Sequence, residues 1–195
     1  VHWIALRAGW THDYGVLYHG YLQTLGFGGC FAAGFLLTAL PFFLAARPAD
    51  TWELVLAVLF AAGIGAAALA GQLFLSVAAF LLLVALIASF VLRRYNRRTG
   101  APPPLTYVAC ALVHGLAGAA LALAPPARFP RIGDRLVEQG FLLCLMLGIG
   151  SFLGARFLGT FQPPAFLFRT KPGRRPASPM AAMQRVFLLG GVLLF

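Results

Sequence analysis

Two histidines lie inside long apolar stretches of the sequence, where an imidazole is costly unless a partner group meets it. His19 stands four residues before Gln23, and His114 stands four residues after Cys110, so each pair is one helical turn apart. Imidazole binds haem iron and copper, and thiolates bind copper. These residue types at this spacing indicate a candidate metal or haem site within a membrane.

Helical spacing places the polar and small residues of the first apolar run on one face. At 100° per residue, six of them fall within about 40° of one line: His12, His19, Gln23, Gly26, Cys30 and Gly34. His12 belongs to this stripe if the helix begins at Thr11, which is a suitable N-cap. Polar groups in lipid usually face a bundle interior, so the stripe is predicted to point there.

The second histidine lies on a comparable face, together with Tyr107, Cys110 and Gly118. It is nine residues into its helix, a depth of about 13 Å, which is close to the middle of a bilayer. Two histidines on different helices can clamp a cofactor in a bundle core. His19 and His114 are therefore the candidate cofactor ligands, and the candidate metal ligands are His19, His114, His12, Gln23 and Cys110.

A purely structural role is the alternative for each of these residues. Either histidine can hydrogen-bond a neighbouring helix and stiffen the packing. Gln23 can fix the tautomer of His19 or bridge two helices, and Cys110 can be a small packing residue. Glu138, at the start of a later helix, can favour the helix N-terminus or take part in a proton path.

The composition places the chain in the membrane class. It is 61% hydrophobic and 10% charged, whereas a soluble domain has roughly 25% charged residues. The apolar runs are continuous rather than alternating, which favours helices over barrel strands. The net charge of +10 comes from arginines clustered at the ends of these runs, a pattern typical of membrane topology and lipid contact rather than of nucleic-acid binding.

The uncharged runs predict an all-α, polytopic transmembrane helix bundle with about five complete helices and part of a sixth. The first helix ends near Pro41, and the uncharged run 54–92 is long enough for two helices joined by a hairpin at Gly71 and Gln72. The remaining predicted helices are 54–70, 73–95, 105–124 and 137–158, with 182–195 as the beginning of a sixth. Gly150 and Gly154 form a small-residue pair that lets helices approach closely.

The basic residues also predict the orientation. With the 93–104 loop in the cytoplasm, 11 of the 15 basic residues lie on that side and four on the other. The start of the first helix then faces the periplasm. Since the sequence lacks an initiator Met and stops within the apolar run VFLLGGVLLF, residues 1–195 are expected to be a single transmembrane domain from a larger protein.

Other chemical motifs are absent from the sequence. The three cysteines, Cys30, Cys110 and Cys144, lie in different apolar runs and do not suggest a disulfide framework. No CxxC, HExxH or Ser-His-Asp pattern appears, so a hydrolase has no support and no enzymatic reaction is assigned.

The stretch YHGYLQTLGFGGCFAAGFLLTALP, residues 18–41, resembles the NnrS family of polytopic bacterial membrane proteins. Family members open this helix with a His-containing cluster and continue into a signature like AGFLLTAVP, which residues 33–41 nearly match. The basic YNRR at 95–98, the position of His114 and the segment 138–159 are also similar, so the resemblance spans most of residues 14–160.

The head of this helix departs from the family pattern Trp-His-x-His-Glu-Met. Tyr18 stands for the Trp, and His19 keeps the first His. Tyr21 and Leu22 replace the second His and the Glu, and Gln23 occupies the next position.

The resemblance implies a bacterial inner-membrane protein that contains haem and copper and is associated with nitric oxide and denitrification. It also implies about twelve helices in the whole protein, so that the partners of this chain are the lipid bilayer, haem or copper, and the remaining helices. Three hypotheses follow: a redox metalloprotein with haem or copper held by His19 and His114, a transporter or channel for a small solute or metal, and a non-catalytic bundle.

Overall fold

Five helices make up the described part of the chain. The computed structural model describes residue 7 and residues 20–43, 46–95, 105–124 and 132–157. Helix α1 consists of a π-helical segment, Leu22–Gly28, and an α-helical segment, Gly29–Phe43. It is followed by α2 at Thr51–Leu69, α3 at Leu73–Arg94 and α4 at Leu105–Leu123. Helix α5 runs through Ile132–Arg135, a π-helical segment at Leu136–Phe141, and Leu142–Phe157.

The predicted all-α transmembrane bundle is confirmed. Helices α1 to α4 are long and apolar enough to cross a membrane, and α5 covers most of the fifth predicted helix. The hairpin between α2 and α3 turns at Gly71, whose φ of 75° is readily adopted only without a Cβ. The start of the first predicted helix and the predicted helix 182–195 lie outside the described residues.

Helix α2 begins at Thr51, three residues earlier than its uncharged run suggests. The Asp50 backbone N–H donates to the Glu53 carboxylate at 2.7 Å, so the acidic side chain satisfies a backbone group at the helix start. Glu53, which stands directly before the uncharged run, is therefore part of the helix.

Glu53 links α2 to α3 through two arginines. Its side chain is fully buried, and it accepts hydrogen bonds from Arg93 at 2.8 Å and from both terminal nitrogens of Arg94 at 2.8 and 3.0 Å. Arg94 also donates to the carbonyl oxygens of Arg47 and Pro48, each at 2.9 Å. The segments 47–53 and 93–95 thus lie at one end of the bundle, which we call the arginine end.

Helix α3 is central to the packing, because it contacts α1, α2 and α4. Its buried side chains include Phe80, Leu83, Ile87 and Phe90. The ring of Phe80 packs edge-on against Phe141 of α5, with 5.2 Å between ring centroids. The side chains of α3 therefore reach every other described helix.

Helices α4 and α5 approach most closely at two glycines. A Cβ at Gly118 would lie 2.8 Å from the carbonyl oxygen of Gly133 and from Val137, and a Cβ at Gly133 would lie 2.7 Å from the Ala122 nitrogen. By contrast, Gly150 has no described neighbour within 4 Å. Among the described helices, the close approach of α5 is therefore made at Gly133, near the start of the helix, and not at Gly150.

Replacing Glu53 with alanine tests the link between α2 and α3. The substitution leaves the guanidinium of Arg94, which is only 9% exposed, without its main counter-charge. We expect the free energy of unfolding to fall by about 3 to 5 kcal/mol, measured by denaturation in mixed detergent micelles. The control Glu138→Ala removes an exposed carboxylate, and its effect should stay within about 0.5 kcal/mol. Equal losses for the two variants would contradict the prediction.

Replacing Gly118 with alanine tests the contact between α4 and α5. The new methyl group meets backbone and Cβ atoms that cannot move independently of their helices. We expect a loss of about 1 to 3 kcal/mol in the same denaturation assay. Gly65→Ala is the matched control, because that glycine has open space around it and alanine is the better helix former. A neutral Gly118→Ala variant would show that the helices separate without cost.

Candidate functional site

The interface between α4 and α5 contains two buried thiols. Cys110 of α4 is 7% exposed and Cys144 of α5 is fully buried. They lie near each other across the interface as reduced cysteines. Both cysteines belong to the buried apolar core of the described helices. This interface therefore places two soft sulfur ligands in a dry environment, which is the donor chemistry that copper(I) favours.

His114 lies at the edge of the same interface. On α4, the side chain of His114 projects between the directions of Cys110 and Gly118. Cys110 lies near Cys144, and Gly118 packs against the first part of α5. The side chain is half-buried, and its imidazole interacts with the backbone carbonyl of Cys110 one turn earlier. The sequence prediction that Cys110 and His114 share one face is met, and the structure adds Cys144.

Bulky side chains close the interface next to His114. A Cβ at Gly115 would lie 2.9 Å from the ring of Phe141 and 3.2 Å from Val84. Gly115 thus allows α3 and α5 to close over α4 at the level of the histidine. Water has little room on that side, although His114 as a whole is only half-buried.

The polar stripe predicted on the first helix does not face the described bundle. Gln23, Cys30 and Gly34 are exposed, and Gly26 and Gly34 have no neighbour within 4 Å. The helix packs instead through a different set of residues: Leu25, Ala32, Leu36 and Leu40. Gln23, Cys30 and Gly34 still lie on one side of α1, as the spacing predicts, but that side faces away from the described helices.

The candidate ligands are therefore only partly brought together. Cys110 and His114 share the α4–α5 interface, while Gln23 lies on the exposed face of α1. His12 and His19 lie outside the described residues. Within the described ranges, no three His, Cys, Asp or Glu side chains are grouped closely enough to hold a metal ion.

A second polar site lies at the end of the bundle opposite the arginines. The hydroxyl of Tyr21 donates to Asp134 at 2.9 Å, joining α1 to α5. A cavity of about 20 Å³ opens beside this hydrogen bond, with Thr24 and Glu138 also in its wall. A cavity of that size holds about one water molecule.

The electrostatics of this cavity keep the phenol protonated. Tyr21 precedes the apolar span that begins at Leu22. Burial, followed by the hydrogen bond to the Asp134 carboxylate, raises the pKa of Tyr21 to about 12. The hydroxyl therefore donates to Asp134 at neutral pH.

Both walls of the cavity include π-helical backbone, from Leu22–Gly28 and from Leu136–Phe141. Such segments occur often at functional sites. An analysis that assumes 3.6 residues per turn does not detect them. The feature of the sequence that points to this cavity is the pair of carboxylates Asp134 and Glu138, one turn apart at the start of a helix.

Comparison with known proteins gives one match. The family model described as NnrS protein matches residues 1–195. No curated protein and no solved structure matches the chain. The family match covers every described helix, including α4 with its histidine and the two helices that carry π-helical segments. The chain belongs to the NnrS family.

Proposed function

We propose that this NnrS-family membrane protein binds haem or copper through His114, with His19 as a second ligand, and takes part in the response to nitric oxide or in denitrification. The observation that carries the proposal is a half-buried imidazole within the apolar span α4, beside two buried thiols. Family membership supports it. On this proposal the protein resides in the bacterial inner membrane with residue 1 on the periplasmic side.

The described residues supply donors of the types that copper favours, but by themselves they form neither a complete metal site nor a haem site. Imidazole and thiolate donors suit copper, and Cys110, Cys144 and His114 supply them at one interface. A porphyrin needs far more space than the cavity of about 20 Å³, whose lining includes none of these three residues. A haem bound at His114 would therefore need residues outside the described ranges to complete its site.

The residues of the chain have separate roles in this proposal. A bound haem or copper would supply one-electron chemistry. His114 offers a nitrogen ligand at a fixed depth, and the carbonyl of Cys110 restricts the orientation of the ring. Phe141 and Val84 exclude water from one side of the interface. No reaction step follows from these contacts alone.

An absorption spectrum and a metal analysis of the purified protein test the proposal. After expression with ample haem and copper, we expect a Soret band or stoichiometric copper in the wild type. The content should fall in His114→Ala and in His19→Ala, because each removes a ligand, and copper alone should fall in Cys110→Ala.

Cys30→Ala is the matched control for the thiol, because Cys30 is exposed on α1, away from the α4–α5 interface. Its cofactor content should equal that of the wild type. A wild-type protein without colour or metal would remove the basis of the redox proposal. Full content in both histidine variants would place the cofactor elsewhere.

A transporter or channel for a small solute or metal is the second candidate function. The observation that favours it is the cavity between the two π-helical segments, with Asp134 and Glu138 in its wall. Carboxylates at the mouth of a membrane protein attract cations. The cavity would then be the entrance of a path, and the exposed Gln23 would lie along α1 beyond it.

Uptake of copper ions into vesicles containing the protein tests this second function. We expect uptake above that of empty vesicles, and its loss in Asp134→Asn, because the substitution removes charge from the cavity. Asp50→Asn is the matched control, since Asp50 lies at the arginine end. Uptake that is unchanged in Asp134→Asn would exclude the cavity as the entrance. If the protein neither binds a cofactor nor moves copper, a non-catalytic bundle is the remaining hypothesis.

A further inference from the structure

Two arginines and a tryptophan are exposed together at the arginine end. The side chain of Arg47 is 77% exposed and that of Arg93 is 47% exposed. The guanidinium of Arg93 lies 5.1 Å from the ring centroid of Trp52, which is itself 47% exposed. These three residues form what we call the Arg47–Trp52–Arg93 cluster.

The neighbouring carboxylates do not use up the hydrogen-bonding capacity of this cluster. Arg94 contacts both oxygens of Glu53 and leaves Arg93 a single bond to that carboxylate. Arg93 also donates from Nε to the carbonyl oxygen of Ser89, but its Nη1 group bonds to no residue that the structure describes. The guanidinium of Arg47 contacts only Asp50 among the described residues. The described ion pairs at this end contain three arginines and two carboxylates, so their summed formal charge is positive. The residues are Arg47, Arg93, Arg94, Asp50 and Glu53.

An apolar surface continues from the cluster along both helices. On α2, Val55 and Leu59 lie three and seven residues after Trp52 and are 50% and 58% exposed. On α3, Leu82 lies eleven residues before Arg93 on the same face and is 52% exposed. A molecule with an anionic head and an apolar tail would meet a matching surface for each part.

We propose that the Arg47–Trp52–Arg93 cluster binds the headgroup of an anionic phospholipid. Guanidinium groups bind phosphate through two parallel hydrogen bonds. Tryptophan favours the boundary between headgroups and acyl chains. The acyl chain packs along Val55 and Leu59 of α2. Inorganic phosphate would satisfy the arginines but would leave the apolar surface unused, so the occupant is a lipid.

Binding of short-chain lipids to the full-length protein in detergent tests this proposal. Native mass spectrometry would measure bound dioctanoyl phosphatidylglycerol and dioctanoyl phosphatidylcholine across a concentration series. We expect saturable binding that is tighter for phosphatidylglycerol. Arg47→Gln and Arg93→Gln should each weaken phosphatidylglycerol binding roughly fivefold and leave phosphatidylcholine unchanged.

Arg135→Gln is the matched control, because Arg135 is an exposed arginine at the opposite end of the bundle. This variant should bind phosphatidylglycerol as tightly as the wild type does. Arg47→Gln keeps both arginine contacts of Glu53, so its result does not depend on the stability of the α2–α3 link. Equal binding of the two lipids, or an equal effect of Arg135→Gln, would overturn the proposal. Complete displacement of phosphatidylglycerol by equimolar inorganic phosphate would overturn it too, because the site would then recognise a free anion.

Discussion

The buried carboxylate of Glu53 is the constraint on which the described bundle depends. A carboxylate removed from water must be paired and hydrogen-bonded, or its burial costs several kcal/mol. Both arginines that meet this requirement stand at the end of α3, about 40 residues later. Their contact sets the relative position of α2 and α3 at one end, and the turn at Gly71 sets it at the other. The hairpin of α2 and α3 is thus fixed at both ends, and the other helices pack on its α3 side.

The other helices are positioned relative to this hairpin by apolar contacts and small residues. Helix α1 packs against α2 and α3 through aliphatic side chains, since its glycine and cysteine stripe is exposed. Helix α4 packs against α3, and α5 can approach α4 closely because Gly118 and Gly133 lack side chains at their contact. The same approach brings Cys144 near Cys110 and places His114 at the edge. The positions of Cys110, His114 and Cys144 therefore depend on small residues at the contact between α4 and α5.

Much of this fold could be predicted from residue order, because lipid restricts the choices. Uncharged runs of membrane-spanning length give the helices, and Gly71 and Gln72 interrupt the longest run. The burial of Glu53 could not be predicted, since its partners are distant in sequence. The spacing of Gln23, Cys30 and Gly34 places them on one face of α1, but spacing alone does not fix whether that face meets the described helices or other parts of the protein. His114 can be identified from the sequence because imidazole is rare in apolar runs. Cys144 cannot, because only the packing of α5 against α4 brings it near Cys110.

The positions of these polar groups bear on where a cofactor can bind. Polar residues placed in lipid are costly unless a protein group or a ligand meets them. Gln23 is nevertheless exposed on α1, and His114 on α4 is only half-buried. A cofactor enclosed by the described helices would require these groups to point inward. Their outward positions favour a site at the edge of this bundle, completed by other parts of the protein. The residues outside the described ranges include His12 and His19, so the chain itself can contribute further ligands to such a site.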